Sequence, residues 1–328
     1  MNNVYFFTDL AKLEEACCLC DFSDFAKKTV LVKLHMGERR NKYFPKPVFV
    51  KKVIDQLQRI DATPFLYDTT VCYKAPRYTV KGYRSLARLH GFTKRTMGCD
   101  ICIDEDGVSV QTEQYNFEVG SLLHQAGHVF AISHVKGHNG TGMGGAIKNF
   151  GMGGVTKKTK KWMHTQAKPR YIQERCTYCG ICADVCPFQA ITVKNHSWSY
   201  QSHKCFGCDA CVQNCKTKAL EHSGASLQYL IACAAKASVH GKKVIYLNEL
   251  KRISKNCDCD PSAGPLICPD IGYLVSTDPV AIDHASLELI HRKKPAVFKT
   301  QQHIDPYDQI RYGEEIGLGS SSYMLVEL

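Results

Sequence analysis

Two runs of cysteine constrain this chain more than anything else in it. Cys176, Cys179, Cys182 and Cys186 are followed by Cys205, Cys208, Cys211 and Cys215, and each run reads C-x2-C-x2-C-x3-C. That is the spacing of bacterial-type iron–sulfur sites. Thiolates two residues apart on a tight turn reach three corners of one [4Fe–4S] cube, and the fourth cysteine of each run, at the start of a helix, reaches the other cube. The spacing therefore assigns Cys176, Cys179, Cys182 and Cys215 to one cluster, and Cys205, Cys208, Cys211 and Cys186 to a second. A pair of zinc knuckles or a disulfide scaffold is the competing reading, and neither calls for this octet.

The region around the octet, residues 165–222, carries an internal repeat: residues 176–193 and 205–220 each hold a cysteine run, a short helix and a small apolar strand. It reads as a two-cluster ferredoxin-like module of α+β type, inserted into a larger domain made of residues 1–164 and 223–328. So small a module takes its folding free energy from metal binding. The larger part alternates short apolar runs with helical patterns. Strands are expected over residues 4–8, 30–35, 64–68, 100–104, 129–134, 243–247 and 272–276, with a closing edge strand over 322–328. Helices are expected over 10–19, 47–60, 83–90, 120–126, 226–240 and 279–292. Continuous apolar strands separated by helices predict an α/β fold, a mainly parallel sheet covered by helices on both faces.

Composition narrows the classes. The chain has 328 residues and 18 cysteines, and its start has no basic residue ahead of a long apolar core, so a reducing, cytoplasmic setting is expected. No apolar stretch approaches the roughly 18 residues of a membrane helix, which excludes membrane insertion. The formal charge of +11 falls to about +7 once two clusters at about −2 each are included. The basic runs Lys157, Lys158, Lys160, Lys161 and Arg292, Lys293, Lys294 lack the interleaved aromatics of a nucleic-acid site. They read as a solvated face or a landing surface for an electron donor or acceptor protein.

In open parallel sheets ligands bind beyond the carboxyl ends of the strands. This chain puts Lys33 and His35, Asp68 and Thr69, then His134, Lys136 and His138, and Ser276 with Asp278, at those ends. Caps and turns are the plainer explanation, and Asp278-Pro279 is a good helix start. For the others, convergence on one site is expected, joined by Lys148 and Asn149 from a loop with seven glycines between Gly140 and Gly154. Such a loop permits close backbone approach to an anion or cluster sulfur, or is simply flexible. It fits no nucleotide-binding pattern.

Cys257, Cys259 and Cys268 place three more thiols within twelve residues. They read as a third iron–sulfur cluster with an open iron, as a zinc site with His134 or His138 as fourth ligand, or as plain buried thiols. Cys17, Cys18 and Cys20, and Cys99 with Cys102, are weaker groupings.

Taken together, the chain resembles the domain-of-unknown-function family 362. The resemblance rests on the segment from Val32 to Glu38, on Phe65 to Thr69, and on Ser133 to His138 with Gly144 to Asn149. It continues through Cys257 to Cys259 and from Pro269 to Asp283. It implies an α/β domain with an inserted ferredoxin module and supplies no activity. Lys216 follows Cys215 where the family's look has a proline, and the segment from Asp100 to Glu105 is richer in thiol and acid. Two functions remain open. One is an oxidoreductase whose two clusters relay electrons to the strand-end site, where Lys136 and Lys148 bind an anionic small-molecule substrate and His134 or His138 handles protons or a metal. The other is a non-catalytic electron-transfer or cluster-carrying subunit of a larger redox complex. The polar strand ends favour the first.

Overall fold

The computed structural model describes residues 2–328. Eight strands form the central sheet: β1 (Asn2–Phe7), β2 (Thr29–Lys33), β3 (Thr63–Thr69), β4 (Asp100–Asp104), β5 (His128–His134), β6 (Lys243–Leu250), β7 (Gly272–Ser276) and β8 (Tyr323–Glu327). Their order across the sheet is β8-β1-β7-β6-β5-β2-β3-β4. β4, β3, β2, β5 and β6 are mutually parallel, β1 and β8 pair parallel with each other, and β7 runs antiparallel to both its neighbours. The expected α/β fold and the closing edge strand are both present.

Alternation along each strand sends neighbouring side chains to opposite faces. Val30, Val32, Phe130, Ile132, Ile245 and Leu247 pack on one face beneath α1 (Leu13–Cys18), α2 (Pro47–Arg59) and α3 (Val80–Leu89). Leu31, Val129, Ala131 and Tyr246 pack on the other face. There they meet α4 (Ala146–Gly151), α5 (Lys157–Gln166), α6 (Leu227–Val239) and α7 (Pro279–Lys293). α2 shows why such helices form: Phe49, Val50, Val53, Ile54 and Leu57 make one buried stripe at helical spacing, and Pro47 opens the first turn.

Several expectations shift. α5 falls where a solvated basic run is expected, and residues Gly107–Gln111 and Asn116–Gly120 form an antiparallel hairpin ahead of the short helix Ser121–Gln125. Because β7 is antiparallel, its carboxyl end points toward the amino edge of the parallel strands: Ser276 pairs with Tyr246 in mid-sheet, and Asp278 lies beyond it, away from the edge that carries His134. Asp278 caps α7, its carboxylate accepting from the backbone N–H of Val280 at 2.8 Å and of Ala281 at 2.9 Å. The glycine stretch is not an open loop. Lys136–His138 and Gly142–Gly144 pair as a small hairpin that leads into α4.

Between α5 and α6 the chain leaves the sheet. Pro169–Tyr171 pairs with Leu220–His222, Ile191–Lys194 pairs with Ser197–Tyr200, and two single-turn helices, Ile181–Asp184 and Ala210–Gln213, complete the insertion. No helix among the described residues is long and apolar enough to cross a membrane.

Candidate functional site

A cavity of about 400 Å³ opens at the carboxyl edge of the parallel strands. Sheet register builds it. Lys33 sits opposite Tyr67 on β3 and Ala131 on β5, and Ser133 and His134 sit opposite Asn248 and Glu249 on β6, so the ends of β2, β3 and β5 converge. Lys33, His35, Asp68, His134, Lys136, His138, Lys148 and Asn149 all line this chamber. Cys257 and Cys259 line it too. Cys268 does not: Ile267 N–H bonds to the Ile253 carbonyl, and that pairing carries Cys268 into the apolar core. The three cysteines therefore do not form one group; His138 takes the third place beside Cys257 and Cys259.

Ion pairs fix the chamber's walls. Lys33 Nζ donates to Asp68 Oδ1 at 2.8 Å and to Asn149 Oδ1 at 2.9 Å, and the Tyr83 hydroxyl donates to the other oxygen of Asp68. Asn149 in turn donates to the Ile132 carbonyl at 3.1 Å and to Ser133 Oγ at 3.0 Å, tying α4 to the end of β5. A second pair is Arg77 Nε to Glu38 Oε2 at 2.9 Å, both 2% exposed. A third centre is Asp258, which lies 2.9 Å from His134 Nδ1 and 3.3 Å from Lys136 Nζ. Burial alone would raise the Asp258 carboxyl, but His134, Lys136 and His35 around it hold it well below the usual range.

α4 is itself anchored at its start. The Asp283 carboxylate on α7 accepts from Ala146 N at 2.7 Å, Ile147 N at 2.9 Å and Asn248 Nδ2 at 2.8 Å. A side chain on Gly145 would collide with that carboxylate, and one on Gly153 would collide with the Lys33 ammonium. The glycines here serve packing more than ligand approach.

Lys148 and Lys160 have no carboxylate partner among the described residues. Lys160 donates to Thr69 Oγ1 at 2.7 Å and to the Thr70 carbonyl at 2.5 Å. Burial lowers both ammonium groups to about 7, with Lys136 adding to the effect at Lys148. Burial also keeps His35 and His138 well below the usual histidine range and puts His164 at about 4. Near neutral pH the chamber thus presents uncharged imidazoles among cationic groups, a setting for an anion.

Lys160, His164, Arg77, Cys72, Phe188 and Phe206 line the chamber without having been expected there. Lys160 is 4% exposed, so it does not belong to a solvated face. The signal was available: Lys160 and His164 lie four apart on the side of α5 that also buries Met163. Arg77 follows β3 on a single 3-10 turn, Pro76–Tyr78, too short to leave a pattern in the sequence.

The insertion meets the chamber directly. One cavity in it is lined by Cys186, Cys205, Cys208 and Cys211 with Phe188, and a second by Cys176, Cys179, Cys182 and Cys215. All eight are free thiols, and Cys179 is exposed. The polar atoms around them fit a sulfur-rich group. Trp198 Nε1 and Tyr200 Oη are buried without a nitrogen or oxygen partner and face the sulfurs of Cys182 and Cys205, and the Tyr171 hydroxyl lies beside Cys176 and Tyr178. Phe188 lines both the first cysteine cavity and the chamber, so the two share a wall. From the chamber side the His164 ring packs against Phe206, with centroids 4.1 Å apart and the planes tilted by 46°.

These features define an α/β protein with a basic chamber at the edge of its sheet and a cysteine-lined insertion against it. Residues 30–288 match the family described as a domain of unknown function, DUF362, and the chain belongs to that family. A stretch of 55 residues is 46% identical to an uncharacterized ferredoxin of Methanocaldococcus jannaschii, covering 15% of this chain and 34% of that protein. Among solved structures, a Thermotoga maritima protein matches over 90% of this chain and 59% of its own, at 10% identity and a TM-score of 0.46. The lactate racemase apoprotein of Thermoanaerobacterium thermosaccharolyticum matches over 76% of this chain and 50% of its own, at 11% identity and a TM-score of 0.39. The chain thus spans about a third of the ferredoxin relative and half to three-fifths of the two structures.

Proposed function

We propose that this is an iron–sulfur redox protein that delivers electrons to a small anion held in the chamber. In this reading residues 165–222 form an inserted two-cluster module. Cys186, Cys205, Cys208 and Cys211 would hold the inner [4Fe–4S] cluster, and Cys176, Cys179, Cys182 and Cys215 the outer one. Loaded clusters would supply single electrons, drawn from a partner protein that docks near the exposed Cys179. The observation that carries the reading is the shared wall: Phe188 lines both the inner cysteine cavity and the chamber. A carrier subunit needs no such chamber.

The chain's own groups divide the work. Lys33, Arg77 and Lys136 are held by Asp68, Glu38 and Asp258, and they set the chamber's shape. Lys148 and Lys160 carry the charge left to meet an anion. At about 7 each is also placed to give a proton to a substrate that has gained electrons. Protein reconstituted anaerobically should hold about eight irons per chain. Cys186→Ser should damage the cluster shared with Cys205, Cys208 and Cys211, although Cys186 belongs to the first run. Loss of the Cys176 cluster in that variant would refute the crossed ligation, and an iron content near zero would refute the reading.

A further inference from the structure

His138, Cys257 and Cys259 have no task in the relay proposed above, yet they form the tightest group of metal-binding atoms in the chamber. One ligand atom from each lies within 4.8 Å of the other two, and all three residues line the same cavity. The two sulfurs come from a single turn with Cα atoms 5.3 Å apart, and in this structure they are joined as a disulfide.

The turn is anchored through its middle residue and its flanking backbone. Asp258, between the two cysteines, is buried against His134 and Lys136, and its carbonyl accepts from Glu38 N–H at 2.9 Å. Asn41 Nδ2 donates to the Asp260 carbonyl at 2.8 Å. With the middle residue anchored in the protein, both sulfurs remain on the chamber side. The turn is positioned before any ligand arrives, which is what a precise binding site requires.

We propose that in the reduced protein His138, Cys257 and Cys259 hold one zinc ion whose fourth position opens into the chamber. Two thiolates and an imidazole suit zinc, and three protein ligands with a vacancy mark a reactive site, whereas structural sites close all four positions. An iron–sulfur cube is disfavoured here, because Cys268 lies in the core and the third donor is nitrogen. His138 Nδ1 accepts from Gly140 N–H at 3.1 Å and lies 3.1 Å from Thr141 Oγ1, which leaves Nε2 to coordinate. When Nε2 binds metal the ring proton moves to Nδ1: the bond from Gly140 N–H is given up, and Thr141 Oγ1, whose hydroxyl donates to the Met143 carbonyl at 2.7 Å, becomes the acceptor of Nδ1–H.

Loading balances. A thiol reductant opens the disulfide: the two sulfurs gain two electrons and two protons, and the reductant leaves as its own disulfide. Zinc then displaces both protons, and two thiolates cancel its charge. Lys136 and Lys148 stand beside this neutral centre, so the fourth ligand is an anion: a carboxylate, thiolate or phosphate oxygen on zinc at one end and Lys148 at the other. The ligand class deepens the chamber reading; the metal site itself does not depend on electron relay.

The test uses the full chain purified under a thiol reductant, with metals counted by plasma mass spectrometry. One zinc per chain is expected beyond the iron of the octet. The double variant Cys257→Ser, Cys259→Ser should lose that zinc and keep its iron, and Cys268→Ser should keep both. His138→Gln should weaken zinc binding by about tenfold or more while circular dichroism stays unchanged. Cobalt put in place of zinc should show thiolate-to-metal charge-transfer bands that shift on adding azide, which needs no variant. Reduced wild-type protein that binds neither zinc nor cobalt overturns the proposal, as does a double variant that binds them equally well or a cobalt spectrum blind to azide. Loss of iron with zinc retained would count against the relay alone.

Discussion

The cysteine insertion and the basic chamber are assembled in opposite ways. The insertion's eight thiols lie within forty residues of one another, on turns that need only local geometry. Its own core is little more than Ile191, Cys211 and Leu220 with the stacked pair Tyr171 and Trp198, whose ring centroids are 4.2 Å apart. The chamber draws on residues from Lys33 to Asp260, brought together by sheet register and by a core that fills both faces. On the proposed function one region takes its order from metal; the other takes it from apolar burial.

The largest expected effect follows from that contrast. Stripping iron with a chelator should cost the insertion its whole fold and leave the sheet domain standing. Limited proteolysis should then cut within residues 169–222 only, with the main unfolding transition retained. Cleavage spread over β2 to β6 would show that the two regions fold as one.

Next comes a comparison inside the chamber. Lys33→Ala leaves the Asp68 carboxylate buried beside Tyr83 without its cation, and removing one partner of a buried pair costs about 3–5 kcal/mol. Lys148→Ala strips a lysine that no carboxylate needs, so denaturant unfolding should move by less than about 1 kcal/mol while phosphate affinity falls tenfold or more. Lys136→Ala should resemble Lys33→Ala, because Asp258 depends on it. Equal destabilisation by Lys148→Ala would make that side chain structural.

Acidity gives a smaller effect with a definite sign. Lys148 and Lys160 lose their protons near about 7 in the folded chain. Anion affinity should therefore be greatest below neutrality and fall as pH rises through 7. Stability runs the other way: between about 7 and the usual lysine value the unfolded chain binds more protons, so stability increases with pH across that window. Isothermal titration with phosphate at several pH values checks the first and urea unfolding the second. Affinity that rises with pH would remove these lysines from the anion site.

The smallest effect lies outside both regions. Asp278→Ala removes the cap of α7 and should cost about 1 kcal/mol, with iron content and anion binding unchanged.

What the sequence revealed follows the same division. The octet's spacing, the parallel strands and the polar residues at their ends were all legible, because each is a local or periodic signal. Lys33, Asp68, His134 and Lys148 were recognised as strand-end or loop groups, and the chamber gathers them. Lys160 was hidden in a basic run whose charge masked the buried face of α5. The direction of β7 leaves no mark in its own residues, so Asp278 was grouped with strand ends that lie across the sheet. Cys268 lies close to Cys259 in the chain, but the pairing of Ile267 with Ile253 separates them, and no spacing rule reports that.

The shared wall between the inner cysteine cavity and the chamber is tested most directly by redox potentiometry of the anaerobically reconstituted protein, with and without saturating phosphate. Anion binding beside Phe188 should shift the reduction potential of the cluster held by Cys186, Cys205, Cys208 and Cys211. The Cys176 cluster should stay where it is, and Lys148→Ala should abolish the shift. Two potentials that move together, or neither moving while phosphate is bound, would contradict it.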